Sequence, residues 1–496
     1  MKVLNIGDNV LFGHRFNGHD LGKHLRARGI ASDHLVWWKN YEDANTHEVA
    51  ANWVDRVNPR NYFTEINLHY SSNSLFYPFS YDLLFDQYFL DCDVVHLHLI
   101  HNSFFGIEHL PILSRVKPVV WTLHDPWALA GHCVHSLDCN RWKSGCGDCP
   151  SLDLSFGLRQ DASALNWEYK RIIYQASDLD VVVASQWMYN RVSQSPLFEK
   201  ANLHLVNFGL DLDQFKPQNA SIAAKQKFGI PEENFVIAFR SSSWIYKGLE
   251  YVKECLRGLS TAQPVTLLVF HEKDLVQEFS ERFQVVELGW VDDDSIMVDA
   301  YEASDIFLMP STAEAFGMMG IEAMACGKPV IAMASTALAE VLRPEESGCI
   351  VVPQGDVDGM RTHLENFIHD KDLRTRVGNC ARLVAEKYYS KERYINELVS
   401  VYEQAIARKQ NDTRAQYIIA QQKKLTSSKF SIPLFQERVV EKVVTVNVPI
   451  NDVSDKEYKI ITWMRRIKVL PIVHFSYVNI AKPLFHIVRK VWRSLK

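Results

Sequence analysis

Two carboxylates eight residues apart, Glu314 and Glu322, frame the stretch Glu314-Ala-Phe-Gly317-Met-Met-Gly320-Ile-Glu322. On one straight helix they would be about 12 Å apart and on opposed faces, so they could not share a site. They converge if Glu314 lies in a loop after the apolar run Ile306–Met309 and Glu322 lies on a helix starting near Gly317. Glu314 then stands at the carboxyl end of a buried strand, where open α/β sheets bind ligands. The amides of Gly317, Met318 and Met319 would form a helix N-terminus, whose partial positive charge suits phosphate or hydroxyl oxygens. The bland reading of the same pair is two surface glutamates flanking a packed helix.

A second constellation is Phe239-Arg240-Ser-Ser-Ser-Trp-Ile-Tyr-Lys247-Gly248. Here an apolar strand ends at Arg240 and a short polar loop leads to Lys247 at a helix start. A cation at a helix N-terminus opposes the dipole, so Lys247 makes sense there if an anion lies between it and Arg240. Arginine offers such an anion a planar fork and lysine a point charge. Two solvated surface cations are the alternative. A third candidate is His124, in Trp121-Thr-Leu-His124-Asp125, which sits just past the apolar run Val119–Leu123, again at a carboxyl end.

Four of the nine cysteines fall within seventeen residues: Cys133, Cys139, Cys146 and Cys149. Four thiolates suit tetrahedral zinc, and Cys146-Gly-Asp-Cys149 is a good chelating half. The five residues between Cys133 and Cys139 depart from knuckle spacing, and His132 or His135 could substitute. Disulfides and unligated thiols are the other readings; the clustering leans to metal.

The elements that must hold these residues read as two successive α/β series. Val3–Ile6, Val94–Leu99, Val119–Leu123 and Val181–Ala184 are buried-strand candidates of the first, with helical patterns at 16–28 and 165–175. Those at 235–239, 265–270, 285–288, 306–309 and 330–333 belong to the second. Strands alternating with helices predict parallel sheets covered on both faces. A further helix is expected over about 391–408, capped by Ser390.

The chain has 496 residues, 47% hydrophobic and 23% charged, which excludes collagen-like, wholly disordered and polytopic membrane classes. At net −5 it is no basic nucleic-acid binder. Its opening, with Gly7, Asp8 and Asn9, does not read as a signal peptide, so a cytoplasmic setting is expected. The charge is uneven. Tyr458–Lys496 carries nine basic residues and no acids, which leaves residues 1–457 at −14. Leu484, Val488, Val491 and Leu495 form an apolar stripe flanked by cations, the pattern of an interfacial amphipathic helix on an anionic membrane surface. The alternative is a helix docked on the acidic body of the protein.

The ordered motifs resemble the family 4 retaining glycosyltransferases of the GT-B fold. The resemblance is carried by Asn207-Phe-Gly209-Leu-Asp211 and Phe215-Lys-Pro217, Arg240 with Lys247-Gly248, Leu288-Gly289-Trp290-Val291, Ala303-Ser-Asp305, Pro310-Ser311 and the Glu314–Glu322 block. It covers roughly residues 1–408. It implies two doubly wound Rossmann-like domains facing across a cleft, plus a C-terminal extension. These would be an acceptor-side domain at 1–205 with a Cys-rich insertion at 131–150, a nucleotide-sugar domain at 206–387, a crossing helix at 388–410 and an extension at 411–496 with the basic tail.

It also implies roles. Arg240 and Lys247 would bind the donor diphosphate, Glu314 would face the transferred sugar, and Glu322 the ribose hydroxyls. Gly317, Met318 and Met319 would hold sugar hydroxyls or phosphate, and His124 would contact the donor sugar. Gly13 matches a family glycine loop near donor and acceptor, although Leu11-Phe-Gly13-His-Arg15 has one glycine where the family usually has two. The cysteine segment resembles a loop found in a subset of bacterial polysaccharide glycosyltransferases. The expected activity is retaining, hexosyltransferase-type transfer from a nucleotide-diphosphate sugar to a glycan or lipid-linked oligosaccharide in surface polysaccharide synthesis. No cofactor is required for catalysis, zinc would be structural, and nucleic acid is not a partner. The tail would place the protein on the inner face of the plasma membrane. A nucleotide-sugar epimerase, a sugar phosphorylase or an inactive glycosyltransferase-like binding partner are the competing readings.

Overall fold

Short runs of β-branched and aromatic residues with no polar alternation bury both faces, and this is what parallel sheets require. In the computed structural model, which describes residues 1–9, 18–39, 43–48, 59–73, 75–77, 80, 83–101 and 104–410, they form two sheets. Gly13, the extension 411–496 and its basic tail lie outside the described residues.

The first sheet contains β1 (Lys2–Asn9), β2 (Ala31–Trp38), β3 (Thr46–Glu48), β4 (Val94–Leu97), β5 (Val119–Leu123), β6 (Leu179–Val183) and β7 (Asn202–Leu205). Their order is β3-β2-β1-β4-β5-β6-β7, every pair parallel. The second contains β8 (Phe235–Ser241), β9 (Val265–His271), β10 (Gln284–Gly289), β11 (Ile306–Met309), β12 (Val330–Ala334) and β13 (Ile350–Pro353). Its order is β10-β9-β8-β11-β12-β13, again all parallel. Each sheet therefore reverses its winding direction once, at β1/β4 and at β8/β11. Ligand crevices of doubly wound sheets open at that point.

The central strands follow the apolar runs. The strands at 31–38, 46–48 and 202–205 are not uniformly apolar, whereas Ile350-Val-Val352 of β13 is a short apolar run not singled out above. β2 carries Asp33 and His34 within it, and β7 is a partly exposed edge with no fully apolar face.

A long helix, Lys391–Gln410, leaves the second lobe and packs under the first. The Ser390 hydroxyl accepts a hydrogen bond from the Arg393 amide at 3.3 Å, so the expected cap is present. Lys391 Nζ reaches Asp20 at 2.7 Å, and Lys409 Nζ reaches Asp178 at 2.9 Å. Arg408 and His204 hold Asp180. Asp178 and Asp180 thus both help fasten the first lobe to this helix. The Tyr402 hydroxyl, at the helix's buried face, bonds Nδ1 of His96 on β4 at 2.6 Å.

Candidate active site

Local structure brings Arg240, Lys247 and Glu314 to the β8/β11 reversal. Arg240 is the penultimate residue of β8. The serines that follow are held by the end of β9: Ser242 Oγ donates to Glu272 Oε1 at 3.0 Å and the Ser243 amide to Oε2 at 3.1 Å. The chain then makes one short turn, Ile245–Lys247, and passes through Gly248 at φ 67°. A Cβ at Gly248 would stand 2.1 Å from the Pro310 carbonyl oxygen. Only glycine lets the turn press this closely on the end of β11, and that approach sets Lys247 beside Glu314.

The resulting ion pair is short, with Lys247 Nζ at 2.6 Å from Glu314 Oε1 and both side chains mostly buried. Ser311 Oγ donates to the same oxygen at 2.9 Å. The Thr336 hydroxyl accepts from the Glu314 amide at 2.7 Å and donates to its carbonyl at 2.5 Å, which fixes the backbone of the acid. Burial pushes the Glu314 carboxyl up. The Lys247 charge, with the hydrogen bonds from Lys247 and Ser311, more than offsets this and holds it below its usual range. Arg240 is strained in the other sense. Burial lowers its pKa against the opposing pull of Glu314 and Glu272, and its Nε is buried without a hydrogen-bond partner.

Gly317, at φ 103°, starts the helix Met318–Ala325, as its position in the motif required. A Cβ there would meet Leu338 at 2.6 Å. Glu322 lies on that helix, fully buried, and accepts from the Tyr301 hydroxyl at 2.9 Å. A cleft of about 340 Å³ is lined by His124, Arg240, Lys247, Glu314, Met318 and Glu322, with Gly317 and Met319 in the same wall. Among the described residues, the structure therefore brings together every site residue singled out in the sequence apart from the four cysteines.

His124 enters from the first lobe, directly after β5. Its ring stacks on Phe208 at 5.4 Å, and Phe208 meets Phe316 edge-on at 5.2 Å, an aromatic bridge from one lobe to the other. The neighbouring Asp125 turns away from the cleft to pair with His101 at 3.2 Å and to cap the Trp127 amide at 2.9 Å. Burial drives the His124 imidazole down to about 3, so it is neutral. Further polar bonds cross between lobes: Ser185 Oγ donates to the Ala315 carbonyl at 2.7 Å, and Glu340 accepts from the amides of Gln186 and Trp187.

Residues that sequence reasoning missed complete the site. Tyr301 and Thr336 orient the two glutamates. His271 and Trp290, with ring centroids 5.3 Å apart, line the same cleft. The motif Leu288-Gly-Trp290 pointed at the Trp290 position, but nothing marked His271.

The cysteine segment lies against this machinery. The Tyr246 hydroxyl, one residue before Lys247, donates to the His135 carbonyl at 3.4 Å, and their rings stand 5.3 Å apart. His135 thus faces the lysine turn, whereas His132 Nε2 lies 3.3 Å from Cys149 Sγ. The Gly131 amide donates to Cys146 Sγ at 3.3 Å. The four thiols are free and near enough to act on one another electrostatically. Burial pushes Cys133 up to about 12 and Cys146 up to about 11. Two cations flank them, Lys170 fully buried and Arg191 half-buried. Lys170 is held by the Trp127 and Ala130 carbonyls at 2.6 and 2.8 Å, and Arg191 lies over the Trp142 ring at 4.4 Å. The donor set is one that zinc accepts. Among the described residues, however, no three His, Cys, Asp or Glu side chains stand converged on one metal position.

Comparison with known proteins places this arrangement. Residues 221–384 match the family profile described as glycosyl transferases group 1, and residues 19–214 match that of glycosyltransferase family 4. The sulfoquinovosyl transferase SQD2 of Arabidopsis thaliana is 26% identical over 45% of this chain and 44% of its own length. An MMP alpha-(1->4)-mannosyltransferase of Mycolicibacterium hassiacum is 26% identical over 64% of this chain and 72% of its own. The chain thus spans less than half the length of the first of these relatives. Among solved structures, Anabaena HepE in complex with UDP and glucose matches 82% of this chain and 100% of its own, with a TM-score of 0.56 at 15% identity. That likeness is one of fold, the GT-B arrangement of two Rossmann-like sheets. No helix among the described residues is long and apolar enough to cross a membrane.

Proposed function

Because the chain belongs to the glycosyltransferases of group 1 and family 4, we propose that it transfers a sugar from a nucleotide-diphosphate donor with retention of anomeric configuration and without a catalytic metal. The acceptor is a glycan or lipid-linked oligosaccharide of surface polysaccharide synthesis, met at the inner membrane face that the basic tail would touch. The observation that carries this reading is the Lys247–Glu314 pair at the β8/β11 reversal, with Arg240 beside it and the Gly317 helix end opposite. A departing diphosphate needs preorganised positive charge more than it needs a nucleophile. Arg240, Lys247 and the amides at Gly317–Met319 supply that charge in a partly dry cleft. Glu314 holds Lys247 ready until donor phosphate competes for it, and its free edge takes hydroxyls of the sugar. Glu322, fixed by Tyr301, accepts from the ribose. The donor phosphate takes the acceptor proton on the leaving-group side, so no enzyme base is required. That UDP occupies HepE is in keeping with a nucleotide in this fold.

The test is to incubate the full chain with a panel of nucleotide sugars and lipid-linked or glycan acceptors. One donor should release nucleoside diphosphate and give a product of unchanged anomeric configuration by NMR. An inverted product, or isomerised donor without transfer, would refute the reading.

The insertion is proposed to hold one structural zinc through Cys133, Cys139, Cys146 and Cys149. Thiols pushed as high as Cys133 and Cys146 ionise only with a cation directly on sulfur, and the resulting anionic cluster would neutralise Lys170 and Arg191, which make no ion pair among the described residues. Metal analysis of the purified chain should give about one zinc, and Cys146→Ser should lose it together with thermal stability. Wild-type protein without zinc that melts unchanged in chelator would refute the site.

A further inference from the structure

We infer that His98 is a positioning residue for His124, one that fixes which ring nitrogen of His124 carries the proton and the plane in which the ring lies. The inference rests on the reading of His124 as a contact of the donor sugar.

His98 directly follows β4 and is fully buried, at the β1/β4 reversal of the first sheet. Its Nε2 lies 3.2 Å from Asn5 Oδ1 on β1, and its Nδ1 lies 3.2 Å from His124 Nε2. Asn5 turns its amide nitrogen to Ser32 Oγ on β2, to which it donates at 3.0 Å, and its carbonyl oxygen to His98. That oxygen can only accept. His98 Nε2 must carry the hydrogen. Burial holds both His98 and His124 far below the usual histidine range, so each ring has a single proton. With Nε2 protonated, His98 Nδ1 is a bare acceptor, and the hydrogen between the rings belongs to His124 Nε2. The chain Ser32–Asn5–His98–His124 thus carries one tautomer from the far side of the sheet to the wall of the cleft.

The orientation of the rings is fixed by the same neighbours. The ring of His96, two residues earlier on β4, stands against that of His98, with centroids 4.0 Å apart and planes inclined by 43°. His96 is locked by the Tyr402 hydroxyl on one nitrogen and Thr122 Oγ1, at 2.7 Å, on the other. His98 and His124 are inclined by 30° with centroids 5.5 Å apart. His98 does not line the cleft, so its effect on substrate passes through His124.

The test uses the full chain labelled with ¹⁵N-histidine. Long-range ¹H–¹⁵N spectra at pH 7, with His124 assigned by its loss in His124→Gln, should show His124 protonated at Nε2 and bare at Nδ1. His98→Ala should scramble that pattern and lower kcat/KM for donor about 10- to 100-fold, as expected of a misplaced contact. His98→Asn, whose side-chain oxygen can stand where Nδ1 stood, should restore the tautomer and most of the activity. A wild-type His124 that is charged or protonated at Nδ1 overturns the inference without any variant. So does a His124 pattern that His98→Ala leaves unchanged. Undiminished turnover in His124→Gln would instead overturn the donor-contact reading, since the tautomer is read in the wild-type protein independently of activity.

Discussion

Lys247→Ala is expected to lower turnover at saturating donor by a factor of about 10²–10³, the usual cost of deleting one preorganised group that faces developing charge. Lys247 is the closest partner of Glu314, so the substitution also leaves a buried carboxylate that keeps the Ser311 hydrogen bond and the more distant charge of Arg240. The Glu314 carboxyl, held low by Lys247, should rise, and part of the loss would come from its protonation. Two companions separate these effects. Glu314→Gln in the Lys247→Ala background removes the stranded charge, so it should recover thermal stability without recovering activity. Lys247→Arg keeps the charge but spreads it over a planar fork that cannot pass the tight turn before Gly248 in the same way, and it should recover only part of the rate. Glu314→Ala should be as damaging as Lys247→Ala, and the double variant little worse than either, because the pair acts as one device. Nucleoside diphosphate release is the measurement. Near-normal turnover in both Lys247→Ala and Glu314→Ala would remove this pair from the mechanism.

The second large effect is on stability against pH. Six histidines are buried and neutral in the fold. Burial brings His34 and His124 to about 3 and His109 and His135 to about 4, and it holds His96 and His98 well below the ordinary histidine value. Their folded pKa lies below the unfolded value near 6.5, so between the two the unfolded chain binds more protons and stability rises with pH. Their contribution is complete above about pH 7 and is lost as the pH falls below about 6.5. Each histidine that stays neutral removes about 1.4 kcal/mol per pH unit in that interval. Two such groups acting from pH 6.5 to 5 would already consume a large part of a typical 5–15 kcal/mol. Two further groups oppose each other. Buried Glu108, raised to about 8, costs stability as the pH rises from about 4.5 to 8 and so offsets one of the histidines on the acid side, and Lys170, lowered to about 7, restores it above 7. Thermal melts should therefore be nearly level from pH 7 to 8 and fall steeply toward pH 5. Equal melting temperatures at pH 5 and 7 would contradict this account.

What could be read from the sequence was whatever depends on short spans. The run Ile306–Met309 is apolar on both faces and so had to be a central strand, and Gly317 marked the start of the helix that carries Glu322. The cations Arg240 and Lys247 could be assigned to one loop because a strand ends and a helix begins within ten residues. Pairing across long spans was not legible. Tyr301 meets Glu322 only because two helices pack side by side, and Lys247 meets Glu314 across 67 residues through the close approach at Gly248. The alternation of His96 and His98 on one strand face was visible, but their link to His124 depends on the register of β4 against β5, which pairs His96 with Val120. The turn of His135 away from the cysteines toward Tyr246 could not be foreseen either, because loop direction in a Cys-rich segment is set by what it packs on.

The helix Lys391–Gln410 gives the chain an order of assembly. His96 receives the Tyr402 hydroxyl from 306 residues downstream, and Asp20, Asp178 and Asp180 all wait for cations on the same helix. During synthesis at roughly 5–20 residues per second, the first sheet is exposed for tens of seconds before its last covering element leaves the ribosome. The amino-terminal lobe is made first and completed last. A nascent chain interrupted anywhere before this helix leaves His96 without the Tyr402 hydroxyl and Asp20, Asp178 and Asp180 without the cations of the helix.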